Sequence, residues 1–148
     1  MKHKDSFPTI GILGGGQLGR MSALAAIRMG VHVKTLSPSP AGPVAPLGEA
    51  LVADWNDRDV MADFVKGCDV VTVESEWGPA EVAENLDNDI PVWPSSQTLQ
   101  AIRHKGRQKN VLEEAGIPLP RHAICASFDE ATTAFRLFDN KVVAKRFE

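Results

Sequence analysis

Cysteine is scarce in this chain: Cys68 and Cys125 are the only two in 148 residues. They stand far apart, in apolar surroundings, with no spacing that suits a metal. Both read as reduced core thiols of a cytoplasmic protein, and a disulfide framework is excluded. Long apolar runs are missing as well. None approaches the roughly 20 residues that a membrane-spanning helix needs. Met1-Lys2-His3-Lys4-Asp5 is polar, and no signal-peptide core follows it, which fits a cytoplasmic location without a membrane partner. A strong excess of one charge is also absent. Sixteen Lys and Arg oppose 19 Asp and Glu, a formal net charge of -3. Nothing in that balance calls for nucleic acid or an anionic membrane. There is no internal repeat and no low-complexity segment.

What remains is ordinary globular material. Hydrophobic residues make up 43% and charged residues 24%, the usual proportions of a folded domain. The length suits one domain, or one domain and part of another.

The most informative stretch is Thr9-Ile10-Gly11-Ile12-Leu13-Gly14-Gly15-Gly16-Gln17-Leu18-Gly19-Arg20-Met21. A short apolar run meets three glycines, and a helical period follows at once. Glycine lets the backbone turn tightly and approach a ligand closely. A helix that starts there points free N–H groups and a positive dipole end above the turn. That is a place for a phosphate.

Strand-like and helix-like segments alternate from there. Strands are expected at 9–13, 31–36, 50–53, 69–73 and 90–93. Helices are expected at 17–29, 57–66 and 79–86, and a proline-rich loop at 37–46. The Val70–Val73 run reads as a strand buried on both faces. Such alternation implies an α/β fold, a parallel sheet with helices on both faces. A second unit begins near Pro94, with one long helix from Ser95 or Ser96 to about Ala115. It continues with a strand at 121–126, a helix at 128–138 and a strand at 141–147.

Gly14, Gly16 and Gly19 fit the spacing of a dinucleotide-binding turn. That reading wants an acidic residue at the end of the second strand to hold a ribose hydroxyl. The chain has Leu36-Ser37-Pro38 there, which argues against a nicotinamide cofactor. Val73-Glu74-Ser75-Glu76 instead puts carboxylates at the end of the fourth strand. In an open parallel sheet ligands sit above those strand ends, so Glu74 is expected to face the crevice of Gln17 and Leu18. Two carboxylates there suit a ligand with hydroxyl or amino donors beside a phosphate. Lys105 and Lys109 lie four apart and share a helix face. Lys145 sits in an apolar run and needs an anion or a surface.

Taken together these residues resemble the amino-terminal part of the ATP-grasp enzymes, in particular the 5-(carboxyamino)imidazole ribonucleotide synthase family of purine biosynthesis. The matching pieces are the glycine–Gln17-Leu18-Gly19-Arg20-Met21 string, Cys68 through Glu76, Pro94-Ser95, Gln108-Lys109 through Gly116-Ile117-Pro118, and Val143-Ala144-Lys145-Arg146. They run in family order and cover nearly all of the chain.

The resemblance implies a Rossmann-like pre-ATP-grasp domain over 1–95 and the beginning of an ATP-grasp domain over 96–148, incomplete. It implies a magnesium- and ATP-dependent ligase, a homodimer in its full-length form, that carboxylates aminoimidazole ribonucleotide with bicarbonate. Gln17, Leu18, Glu74 and Glu76 would bind the ribonucleotide; Lys105 and Lys145 would bind ATP. The glycine-rich phosphate loop and acidic magnesium ligands of the family have no counterpart in these 148 residues, so the chain reads as a fragment, inactive alone. The family has an acidic residue near Ser37 and another before Lys105, where this chain has His104. Two other readings stand beside this one. One is a non-catalytic ribonucleotide-binding or dimerising module. The other is a glycinamide ribonucleotide transformylase-like relative, against which Gln17 argues because that group prefers Glu there.

Overall fold

The computed structural model describes residues 7–39, 42–76, 80–86, 90–139 and 141–147. The expected helix start at Pro79 and the polar stretch Met1–Asp5 lie outside the described residues. The chain divides into two compact units, Met1–Gln100 and Ala101–Glu148.

The first unit is an α/β layer structure around a five-stranded parallel sheet, β1 Thr9–Leu13, β2 His32–Ser37, β3 Glu49–Val52, β4 Val70–Val73 and β5 Val92–Trp93. The spatial order is β3-β2-β1-β4-β5. The chain therefore winds outward from β1 in one direction, returns, and winds outward in the other. β1 lies at the point where the order reverses, between β2 (Leu13 opposite Leu36) and β4 (Leu13 opposite Val73). It is enclosed on both sides, and Ile12 and Leu13 are fully buried.

The helices form where the periodicity places them. α1 runs Gln17–Arg28 and packs Gly19, Ala23 and Ala26 inward. Ala23 and Ala26 join Ile12, Val33 and Val44 in one apolar cluster. Small residues on that face let the helix lie close to the sheet. α2, Arg58–Val65, starts at Asp57, whose carboxylate accepts the N–H groups of Asp59 and Val60. That side chain satisfies donors the helix geometry leaves open. Its Phe64 is fully buried. α3 is Ala80–Leu86.

β4 is less enclosed than its sequence suggests. Val71 is buried, whereas Val70, Thr72 and Val73 are half-buried. The neighbouring β5 is only two residues long and flanks Val71 and Thr72 alone.

The long helix expected to about Ala115 is two helices. α4 spans Ser96–Arg103 and α5 spans Lys105–Glu114. His104 breaks them: its backbone is extended, and its ring accepts the Arg107 N–H. α6, Phe128–Leu137, follows the expected pattern, with Ser127 capping through the Glu130 N–H. The two strands expected in this unit do not form. Among the described residues neither 121–126 nor 141–147 joins a ladder. An extended segment becomes a strand only when a partner takes up its N–H and C=O groups. Here the Lys141 N–H instead goes to Phe138, and the Phe147 carbonyl accepts from Lys105. Both cysteines are free. Cys68 is buried, but Cys125 is half-buried on the 121–126 segment rather than in a core. Among the described residues no helix is long and apolar enough to cross a membrane.

Candidate functional site

Parallel strands that start at one edge deliver their loops to the other. The turn after β1, the end of β2 at Ser37 and the turn after β4 at Glu74 therefore meet at the C-terminal edge of the sheet. Gly14 leaves β1 with its N–H donating to Leu36 at 2.9 Å. Its φ of +126° is a conformation that only glycine adopts without strain. Gln17 and Leu18 open α1 as exposed residues.

Glu74 lies in this turn. Its backbone N–H extends the β1–β4 ladder to the Leu13 carbonyl at 2.9 Å. Its carboxylate folds inward and accepts the Gly16 N–H at 2.5 Å. All three spaced glycines face it. A Cβ on Gly14 would sit 2.5 Å from the Glu74 side chain, one on Gly16 would overlap the carboxylate, and one on Gly19 would lie 3.3 Å away. The glycines that the sequence offers as a phosphate cradle thus make room for the protein's own carboxylate.

This changes the electrostatics of the turn. The Gly16 N–H, expected to be free for a ligand, is taken. A phosphate brought within about 4 Å of the carboxylate would meet a repulsion of about 4 kcal/mol at an effective dielectric of about 20. A hydroxyl or amino group would instead find an acceptor. Glu76 lies two residues further along the same turn and is half-buried.

A second layer covers the turn, and sequence reasoning missed it. The Arg20 guanidinium, one helical turn into α1, donates to the Pro43 carbonyl at 2.9 Å. Val44 donates to the Gly15 carbonyl at 3.4 Å. A Cβ on Gly15 would lie 2.9 Å from the Ser37 hydroxyl. Pro43 and Val44 therefore rest on the glycine turn, held by an arginine that the sequence shows only as one letter of the glycine string.

The cations lie in the second unit. Lys105 is the first residue of α5 and Lys109 follows one turn later. Lys145 is exposed in the irregular 141–147 segment, on a surface as a lysine in an apolar run requires. The Lys105 N–H donates to the Phe147 carbonyl at 3.0 Å. This brings the two lysine-bearing segments together. Among the described residues no group of three His, Cys, Asp or Glu side chains could hold a metal ion.

Comparison with known proteins gives this geometry a context. Residues 7–103 match the model of the ribonucleotide synthetase preATP-grasp domain. The chain is 37% identical over 131 residues to the N5-carboxyaminoimidazole ribonucleotide synthase of Pseudomonas aeruginosa, a match over 86% of this chain and 36% of that protein. The crystal structure of N5-carboxyaminoimidazole ribonucleotide synthetase from Thermus thermophilus superposes with a TM-score of 0.76 at 33% identity, over 86% of this chain and 36% of that one. The N5-carboxyaminoimidazole synthase of Aspergillus clavatus, solved with ADP and 5-aminoimidazole ribonucleotide, superposes with a TM-score of 0.74 at 28% identity, over 89% of this chain and 36% of that one. The chain thus spans about a third of the length of these relatives.

Proposed function

We propose a function from the premise that this chain belongs to the ribonucleotide synthetase preATP-grasp family, whose model matches residues 7–103. The chain takes part in the ATP-dependent carboxylation of aminoimidazole ribonucleotide with bicarbonate, a step of purine biosynthesis. The observation that carries this reading is the Glu74 carboxylate seated in the glycine turn beside Gln17 and Leu18. A carboxylate there favours hydroxyl or amino donors, and a ribonucleotide with an exocyclic amine offers both. A relative solved with ADP and this ribonucleotide supports the choice of ligands.

In this reading Gln17, Leu18, Glu74 and Glu76 bind the ribonucleotide. Its phosphate lies away from Gly16, because the Glu74 carboxylate already holds that N–H. Lys105 and Lys145 bind the phosphates of ATP, for which a compact cation with three donors is suited. Phosphorylation gives bicarbonate a leaving group, and the amine then takes the carboxyl group. The reaction itself requires three anions to be held together out of water. Among the described residues no three His, Cys, Asp or Glu side chains cluster as a metal site, and magnesium enters this reading only as the partner of the ATP phosphates. A homodimeric, cytoplasmic enzyme is part of the same reading.

The test is a calorimetric titration of aminoimidazole ribonucleotide against the wild-type chain and Glu74→Ala. Loss of a charge-assisted hydrogen bond should weaken binding about tenfold or more. Equal affinities would remove Glu74 from the site.

A further inference from the structure

His104 does more than end a helix. Its Nδ1 accepts the Arg107 N–H at 3.2 Å. Its ring also stacks on Phe147, with centroids 4.7 Å apart and planes 14° from parallel. The Phe147 carbonyl in turn takes the Lys105 N–H at 3.0 Å. Two N–H groups of the first turn of α5, which the helix itself leaves open, are thus satisfied by His104 and Phe147. Gly106 completes the arrangement. A Cβ there would lie 3.0 Å from His104 Cε1 and 3.5 Å from Phe147 Cε1, so glycine leaves room for the stacked rings.

We propose that His104 is a positioning residue: by capping α5 and clamping the Phe147 ring, it holds the Lys145-bearing segment against the helix end that carries Lys105. Asp or Ser would cap a helix equally well, but neither offers an aromatic face. An imidazole supplies the acceptor and the face together. With its ring and its carbonyl both held, Phe147 sets the direction in which Arg146 and Lys145 leave the contact. What the two lysines then grip rests on the ATP-phosphate reading above; the clamp itself does not.

Hydrogen exchange of the whole chain, read at the Lys105 and Arg107 amides, separates the possibilities. Phe147→Leu removes the stack and should lower protection of the Lys105 amide by about tenfold. Phe147→Tyr keeps an aromatic face and should restore it. His104→Asp should keep the Arg107 amide protected while the Lys105 amide loses protection. Unchanged Lys105 protection in both Phe147→Leu and His104→Asp would overturn the clamp. Titration with ATP then tests the grip. Weaker binding in Phe147→Leu, rescued in Phe147→Tyr, is the expected result. An exchange pattern as expected with no ATP binding by the wild type would support the clamp and count against the nucleotide reading.

Discussion

The two units of this chain are held by different physics. Every buried apolar side chain among the described residues lies at or before Leu99. The first unit is a sheet with a close-packed interior, and its glycine turn and Glu74 rest on strands whose register is set by their neighbours. In the second unit Phe128 is 85% exposed and Val143 82% exposed. Its order comes from helix caps, a ring stack and single backbone hydrogen bonds. The contrast teaches where local pattern suffices. An amphipathic helix forms from its own backbone bonds, as α6 does, whereas a strand requires a partner elsewhere in the chain.

Large-to-small substitutions would sharpen the contrast most. Phe64 is fully buried, and Phe64→Ala should cost about 3–5 kcal/mol in urea unfolding. Phe128→Ala in the second unit should change stability by no more than about 0.5 kcal/mol. Similar costs for the two would erase the distinction between a packed and an unpacked unit.

A smaller effect is expected at the glycine turn of the first unit. Gly16→Ala drives a methyl into the Glu74 carboxylate and should cost about 1–3 kcal/mol. In the Gly16→Ala/Glu74→Ala double variant the clash is gone, and the coupling should recover about 1 kcal/mol or more. Strict additivity in that cycle would mean that the glycine serves the backbone and not the carboxylate.

The smallest effect belongs to the surface of the first unit. Lys66 lies 2.6 Å from Asp63, both well exposed. The hydrogen bond from Lys66, then its charge, holds the Asp63 carboxyl below its ordinary range. Asp63 raises the Lys66 ammonium in the same way. A lowered carboxyl contributes above its unfolded value and loses that contribution as pH falls through the lower folded value. A raised ammonium contributes below its unfolded value and loses it as pH rises through the higher folded one. The pair therefore acts across the neutral range and fades at both ends. Asp63→Asn should flatten this shallow dependence, and added salt should hide it. A large drop in unfolding midpoint at neutral pH would show that surface charge, and not the core, carries this unit.

The lessons of the sequence divide along the same line. The strand–helix alternation of the first unit was legible because both faces of its sheet are written in period and in punctuation: Thr9–Leu13 ends at glycines, and Gln17–Arg28 repeats its small inward residues. The resemblance of the glycine string and the Glu74 turn to one family was legible for the same reason, since each sits at a strand end. At 121–126 and 141–147 the residues favour extension, yet no ladder among the described residues receives them. Nothing in 96–115 announces the break at His104, because a histidine is an ordinary helix residue until its ring finds both a backbone donor and a second ring.

By itself, the sequence determined most elements whose hydrogen bonds close locally, the order of the sheet's strands along the chain, and which residues stand at the C-terminal edge of the sheet. Only the tertiary structure decided that the glycine turn is filled by Glu74, that Arg20 holds the segment at Pro43, and that His104 turns one helix into two. Each of those is a contact between residues distant in sequence or a competition among hydrogen-bond acceptors. Such contacts depend on where the folded chain brings side chains together, a quantity that no local pattern carries.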